Sequence, residues 1–175
     1  MNNNLKKTIR LSALSAIALT IFIIEIQIPP LVPIPGIKLG LANIITLIIL
    51  SLYGIKEASA VLFIRIFLGS IFSGQMINLL YSLSGGILCL VVMSTLMKLL
   101  GKKNLCFISI AGAIAHNIGQ ITVSMIILET TSVLYYLPIL LISGVITGAF
   151  TGIVSKLMVN NVVLKKLINE EMIHN

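Results

Sequence analysis

The sequence contains no aspartate, no tryptophan and few charges: only 10% of its 175 residues are Asp, Glu, Lys or Arg. Without aspartate, neither the Asp clusters that hold magnesium for diphosphate chemistry nor a Ser/His/Asp triad can exist. The G-x-x-x-x-G-K-[ST] phosphate loop is also missing, which excludes ATP hydrolysis of that type. Two histidines and the cysteines Cys89 and Cys106, which lie 17 positions apart, do not give the spacing of a zinc site. We therefore expect no catalytic residues, no metal and no cofactor, and a protein that is not an enzyme.

Apolar residues take the place of the missing charges. They make up 58% of the chain, and the mean hydropathy is +1.12. Because soluble domains carry about 25% charged residues, this composition indicates a multi-pass protein of the cell membrane. The net charge of +7 comes from short clusters beside apolar segments. They form no basic face with interleaved aromatics, so we expect the lipid bilayer and no nucleic acid as a partner.

Six apolar segments follow one another along the chain, at residues 9–28, 38–53, 57–73, 78–100, 105–128 and 132–157. Since a membrane span needs about 20 residues, we predict an all-α protein with six transmembrane helices in a compact bundle. This domain covers residues 1–158, and residues 159–175 form a cytoplasmic tail. The first segment is longer than the apolar part of a signal peptide, so we expect it to be retained. The second and third segments are the shortest, and a hairpin that does not fully cross is the alternative.

Basic residues predict the orientation of the bundle. Ten of the twelve lie before the first segment or in alternate connections, namely Lys6, Lys7, Arg10, Lys56, Lys98, Lys102, Lys103, Lys156, Lys165 and Lys166. By the positive-inside rule, both termini are cytoplasmic and the connection that begins at Pro29 faces outward. Four prolines between Pro29 and Pro35 make this connection extended and stiff. It is either a lid over the outer end of the bundle or a rigid turn.

Small residues predict where helices pack closely. Gly144, Gly148 and Gly152 repeat every fourth residue in the sixth segment. Ala111, Ala115 and Gly119 do the same in the fifth. Such ridges let helix backbones approach one another in a membrane. Pro138 is expected to bend the sixth helix near its outer end.

Arg65 is the most costly residue in the sequence for a membrane helix. It follows the nearest connection by about ten residues, which places it roughly 15 Å deep. A penalty of about 2.5 to 3.5 kcal/mol for a charge at that depth indicates a polar cavity or an acidic partner. Glu25, near the outer end of the first helix, is the acid within reach. Arg65 therefore either pairs with Glu25 or contacts a ligand.

Polar residues of the fifth helix form a second candidate group. His116 and Gln120 share one face, and Asn117 lies on the adjacent stripe. They either contact a ligand or join helices by hydrogen bonds. Further polar residues lie in the predicted outer half: Glu25, Lys38, Asn43, Gln75, Asn78 and Tyr81. Together they predict an outward cavity above Arg65, although Lys38 and Tyr81 also suit an anchoring role at the membrane interface.

Several stretches resemble the Gx transporter family, also known as heptaprenyl diphosphate synthase component I. They are "PPLVPIPGIKLGLANIITL", "FIRIFLGSIFSG", "YSLSGGIL", "AGAIAHNIGQ" and "YYLPILLISGVITG", in family order. The family is similar to the substrate-binding S components of energy-coupling factor transporters. The resemblance implies six helices, an outward pocket for a small molecule capped by the loop after helix 1, and partners that are a transmembrane coupling protein and ATPases. In S components, helix 1 carries an Ala-x-x-x-Ala motif that docks on the coupling protein. The nearest equivalent in this sequence is the small-residue ridge of Ser12, Ala16 and Thr20.

Three functions stay open at this point. The first is a membrane transport subunit that captures a small molecule, for which Arg65 and Lys38 favour an anionic group. The second is a membrane subunit associated with heptaprenyl diphosphate synthesis, as the family name implies. The third is a scaffold without a ligand, in which the polar residues only join helices.

Overall fold

The computed structural model describes residues 3–28, 37–74 and 76–161, and in these ranges the chain is helical apart from its connections. The proline-rich segment 29–36, Gln75 and the tail 162–175 lie outside the described residues. Six α-helices occur in the predicted order: α1 (Asn3–Gln27), α2 (Asn43–Leu52), α3 (Ile55–Ser73), α4 (Ile77–Leu100), α5 (Leu105–Leu128) and α6 (Leu137–Asn160). Short 3₁₀ turns at Lys102–Asn104 and Thr131–Tyr136 precede α5 and α6. The all-helical class is thus confirmed.

Four of the described helices are long and apolar enough to cross a membrane: α1, α4, α5 and α6. The α3 helix has 19 residues but carries Lys56, Glu57 and Arg65. The α2 helix has only 10 residues and is about 15 Å long, half of a bilayer core. The prediction that the second helix starts at residue 38 is therefore wrong. Gly40 adopts a positive φ of +78°, which breaks the helical path, and α2 begins at Asn43.

The short α2 helix lies in the centre of the bundle. Its residues from Asn43 to Ser51 are all buried, and Ile48 and Ile49 are fully covered. A helix that is apolar on every side must be surrounded by other helices. Side chains from α1, α3, α4, α5 and α6 pack around it in one apolar core. The outer helices turn large apolar side chains such as Phe72, Ile126 and Leu157 away from this core.

An ion pair shows how the first helices are oriented. Lys7 Nζ lies 2.5 Å from Glu57 Oε1, so α1 and α3 begin at the same end of the bundle. The α2 helix must therefore run in the opposite direction between them. This order agrees with the alternation that the basic residues predict.

The predicted orientation can be tested by cysteine labelling in intact cells. Cysteines placed singly at Asn3 and Asn169, in a background without Cys89 and Cys106, should react only after the membrane is permeabilised. The reason is that ten of twelve basic residues are assigned to the cytoplasmic side. Labelling of either position by an impermeant reagent before permeabilisation would contradict the predicted topology.

The glycine ridge of α6 packs against α5, as predicted. A Cβ atom at Gly148 would lie 2.6 Å from Ile110 Cα, and one at Gly152 would lie 2.7 Å from Cys106 Cα. The hydroxyls of Ser109 and Thr151 add a 2.7 Å hydrogen bond across the same interface. Pro138, in contrast, does not bend α6. It lies in the first turn, where its missing N–H has no partner to lose, and it helps to begin the helix.

Candidate functional site

The described part of the connection before α2, residues 37–42, reaches into the bundle. The backbone N–H of Lys38 donates to Gln120 Oε1 of α5 over 3.3 Å. Two residues later, a Cβ at Gly40 would lie 3.0 Å from the His116 ring, one turn earlier in α5 than Gln120. His116 is the twelfth of the 24 residues of α5, so this connection reaches the middle of the helix. The α2 helix consequently starts inside the bundle and not at its surface.

Glu25 fixes the start of α2. Its carboxylate accepts a hydrogen bond from the backbone N–H of Gly40, and the N–H groups of Leu41 and Ala42 are also directed at it. The first N–H groups of a helix have no partner within the helix, and they carry its positive end. Ala42, at the N-cap position, has no side chain that could accept them. The buried carboxylate of α1 thus holds the turn that leads into α2.

Arg65 lies beside this helix start and is 3% exposed. Its Nη2 donates to Asn43 Oδ1 over 3.2 Å. The expected ion pair with Glu25 does not form among the described residues, because the carboxylate is taken up by the backbone of the α1–α2 connection. The charges of Glu25 and Arg65 still attract each other, but over a distance longer than that of an ion pair. The predicted pair of Arg65 with Glu25 is therefore not formed as a direct contact. Arg65 Nε has no hydrogen-bond partner among the residues that the structure describes.

A small polar cavity lies between these groups. Its volume is about 10 Å³, which is roughly the room that one water molecule needs. In this structure, protein atoms thus leave little of the outward cavity that the sequence predicts. The lining consists of Phe22, Glu25, Lys38, Gly40, Asn43, Arg65, Ser82 and His116.

Five of the predicted site residues line this cavity, and three further residues were missed by sequence reasoning. Phe22 was missed because it belongs to an apolar run without any polar signal. Ser82 was missed because serine is common in membrane helices. Gly40 had a signal, since a glycine between the prolines and α2 marks a break in the helix. Its lack of a side chain lets the backbone approach His116 and Asn43.

Three residues that line the cavity carry hydrogen-bond donors without partners. Lys38 Nζ, Arg65 Nε and Asn43 Nδ2 are buried and have no hydrogen-bond partner among the described residues. Lys38 Nζ lies 4.0 Å from the centre of the Phe22 ring, a cation–π contact that leaves its three N–H donors open. Since buried donors normally find acceptors, these three groups lack a component that supplies acceptor atoms. Two cations beside one carboxylate favour an anion as that component.

The other predicted site residues lie elsewhere. Asn117 Nδ2 donates to the Leu140 carbonyl of α6 over 2.5 Å, which joins two helices. Tyr81 is buried in an apolar cluster with Ile37 and Ile121. Asn78 Nδ2 lies 3.5 Å from Ser73 Oγ, where α3 and α4 are connected. The ridge of Ser12, Ala16 and Thr20 is exposed on α1.

Asn117 is expected to stabilise the bundle without contributing to binding. Asn117→Ala should lower the free energy of unfolding by about 1 to 3 kcal/mol, because it removes a buried hydrogen bond between α5 and α6. Thermal unfolding in detergent measures this change in stability. Asn104→Ala is the matched control, since Asn104 also donates to a carbonyl but is exposed. An equal effect of both variants would mean that the α5–α6 bond does not stabilise the fold.

Comparison with known proteins gives one match. The profile of the family described as heptaprenyl diphosphate synthase component I matches residues 14–158, which cover all six helices apart from their two outermost ends. Searches among curated proteins and among solved structures gave no match.

Within the described residues, no three His, Cys or acidic side chains lie together as a metal site would require.

Proposed function

The chain belongs to the heptaprenyl diphosphate synthase component I family, and we propose that it is a membrane subunit that binds a small anionic molecule inside its helical bundle. The observation that carries this proposal is the group of three buried donors around the cavity, which have no partner among the described residues. Two of them belong to Lys38 and Arg65, which are cations at neutral pH. A ligand with several oxygen acceptors would satisfy all three at once, and its binding requires that the cavity of about 10 Å³ widens.

Binding in this place is suited to transport. The described residues before α2, which include Lys38, lie beside the cavity, and their movement would open a path to it. Capture of a ligand from outside and release on the other side requires an energy source, and this sequence has no ATP-binding loop. We therefore propose that the protein works with a transmembrane coupling protein and ATPases. The exposed ridge of Ser12, Ala16 and Thr20 is the proposed docking surface.

The test is to identify what co-purifies with the protein. Wild-type protein and the variants Arg65→Gln, Lys38→Gln and Lys98→Gln are purified in parallel, and small molecules released by denaturation are analysed by mass spectrometry. Loss of one charged hydrogen bond should reduce the bound anion tenfold to a hundredfold in the first two variants. Lys98→Gln is the control, because Lys98 is an exposed cation far along α4. A ligand retained by all variants, or no ligand in any preparation, would contradict the proposal.

Binding should weaken as the pH rises through 8. Burial lowers the pKa of the Lys38 ammonium from 10.5 to about 8; the Glu25 carboxylate opposes this shift and Arg65 adds to it. Lys38 is therefore protonated below pH 8 and neutral above it, so an anion loses one of its two charged partners at high pH. The dissociation constant of the co-purified ligand should rise between pH 7 and pH 9. Lys38→Gln should remove this dependence.

The family description supports a second candidate. It names a component of heptaprenyl diphosphate synthase, and a membrane subunit associated with such an enzyme would hold substrate or product for a soluble partner. Catalysis itself would belong to that partner, because this chain has no aspartate for magnesium. Affinity purification from native membranes separates the two candidates. An ATPase and a coupling protein in the eluate support transport, whereas a soluble prenyl synthase supports the second candidate.

A further inference from the structure

The polar cavity beside α2 carries an unbalanced charge. Among its lining residues, Lys38 and Arg65 are cations at neutral pH and Glu25 is the carboxylate, so one positive charge is left without a counter-charge. Arg65 is only 3% exposed, and Lys38 Nζ is buried as well. Because a buried charge is costly unless it is paired, the charges of this lining favour one monovalent anion.

The open donors of the cavity come from three separate parts of the chain. Lys38 precedes α2, Asn43 is the first residue of α2, and Arg65 lies in α3. Arg65 Nη2 donates to Asn43 Oδ1 over 3.2 Å, which uses the amide oxygen and leaves the N–H groups of Asn43 Nδ2 open. A spherical anion accepts hydrogen bonds from every direction, whereas a water molecule must also place its two hydrogen atoms among these donors. The donor set therefore suits an ion better than a water molecule.

The carboxylate of Glu25 is the part of the lining that repels an anion. It accepts the N–H of Gly40, and the N–H groups of Leu41 and Ala42 are directed at it too. These backbone donors hold the carboxylate at the turn before α2 and stabilise its negative charge there. Two cations then act on an anion in the cavity against one carboxylate whose charge is already engaged.

The size of the cavity restricts which anion fits. At about 10 Å³ it has room for roughly one water molecule, so an anion of several atoms does not fit unless the cavity widens. A chloride ion is only slightly larger than a water molecule. The ammonium group of Lys38 ends a flexible side chain, which can adjust to that difference. Fluoride is smaller still, but burial costs a small ion more of its hydration energy.

We propose that this narrow cavity is a chloride site, in which one chloride ion binds among Lys38 Nζ, Arg65 Nε and Asn43 Nδ2. The inference goes beyond the proposed capture of a larger anion, which needs a wider cavity. Both ligands use the same donors, so chloride must leave before the larger anion binds. Chloride is thus a competitor that weakens the affinity for the captured molecule.

Equilibrium dialysis with radioactive chloride tests the site. Wild-type protein in a nonionic detergent is dialysed in sodium gluconate at constant ionic strength, and the signal of empty micelles is subtracted. We expect saturable binding of one chloride ion per chain, which unlabelled bromide displaces. Constant ionic strength is needed because salt also screens the exposed charges of the protein.

Charge variants test the position of the ion. Lys38→Gln and Arg65→Gln should each raise the dissociation constant of chloride about tenfold to a hundredfold, because each removes a charged donor. Lys98→Gln is the matched control, since Lys98 is an exposed cation of α4 outside the cavity. If Arg65→Gln does not fold, wild-type crystals grown in bromide replace it. Their anomalous scattering should show a bromide ion within hydrogen-bond distance of Lys38 Nζ and Arg65 Nε.

The contrary results separate this inference from the proposed function. The chloride site is overturned by chloride binding that does not saturate, by equal effects of Lys38→Gln and Lys98→Gln, or by bromide found only away from both cations. If chloride does not bind but a larger anion co-purifies, the chloride site is wrong and the capture function stands. If chloride binds but no larger anion co-purifies, the chloride site stands and the capture function fails.

Discussion

Gly148→Leu is expected to lower the free energy of unfolding by about 3 kcal/mol, at the upper end of what overpacking causes. A Cβ at this position would lie 2.6 Å from Ile110 Cα, and a backbone atom cannot rotate away as a flexible side chain can. The branched leucine side chain must therefore push α5 and α6 apart along the whole glycine ridge. Thermal unfolding in detergent, followed by circular dichroism, measures the effect.

The matched control for this change is Val145→Leu. Val145 lies on the same helix three residues earlier, but 44% of it is exposed. Adding a methylene group there should leave the melting temperature nearly unchanged. Equal melting temperatures for the two variants would show that the ridge does not hold α5 against α6.

Glu25→Ala is the second change with a large expected effect, a loss of about 3 to 5 kcal/mol. Glu25 is 5% exposed, and its carboxylate accepts the N–H of Gly40 just before α2. Without it, the turn that leads into α2 loses its acceptor, and Arg65 and Lys38 lose the acid that balances their charge. The free energy of unfolding in detergent is the measurement.

Glu57→Ala provides the comparison within the same chain. Glu57 pairs with Lys7, but the two side chains are 21% and 40% exposed. Exposed ion pairs contribute about 1 kcal/mol or less, so this variant should unfold almost as the wild type does. If Glu25→Ala were as mild as Glu57→Ala, the carboxylate of Glu25 would not be what fixes the α1–α2 connection.

Most of the helical architecture is predictable from the sequence because the apolar runs are long and the connections are marked by Gly, Pro and Lys. The glycine ridge of α6 is predictable for the same reason, since its four-residue spacing places all members on one face. The start of α2 is not predictable from the sequence. Nothing in the apolar run from residue 38 shows that a carboxylate of α1 would receive the N–H of Gly40 and end the connection there.

The candidate site is predictable in its charges and less so in its contacts. A central arginine, a nearby acid and the polar face around His116 identify the region, because polar groups in apolar helices are rare. Their pairing depends on side-chain directions that spacing does not give. Glu25 thus contacts backbone instead of Arg65, and Asn117 contacts α6 instead of the cavity.

The central claim is that the unpartnered donors beside α2 bind an anion. The most direct measurement is an experimental structure of the protein with its co-purified ligand still bound. The account predicts density for acceptor atoms within hydrogen-bond distance of Lys38 Nζ and Arg65 Nε. Density for water alone in the cavity, or a ligand bound away from both cations, would contradict it.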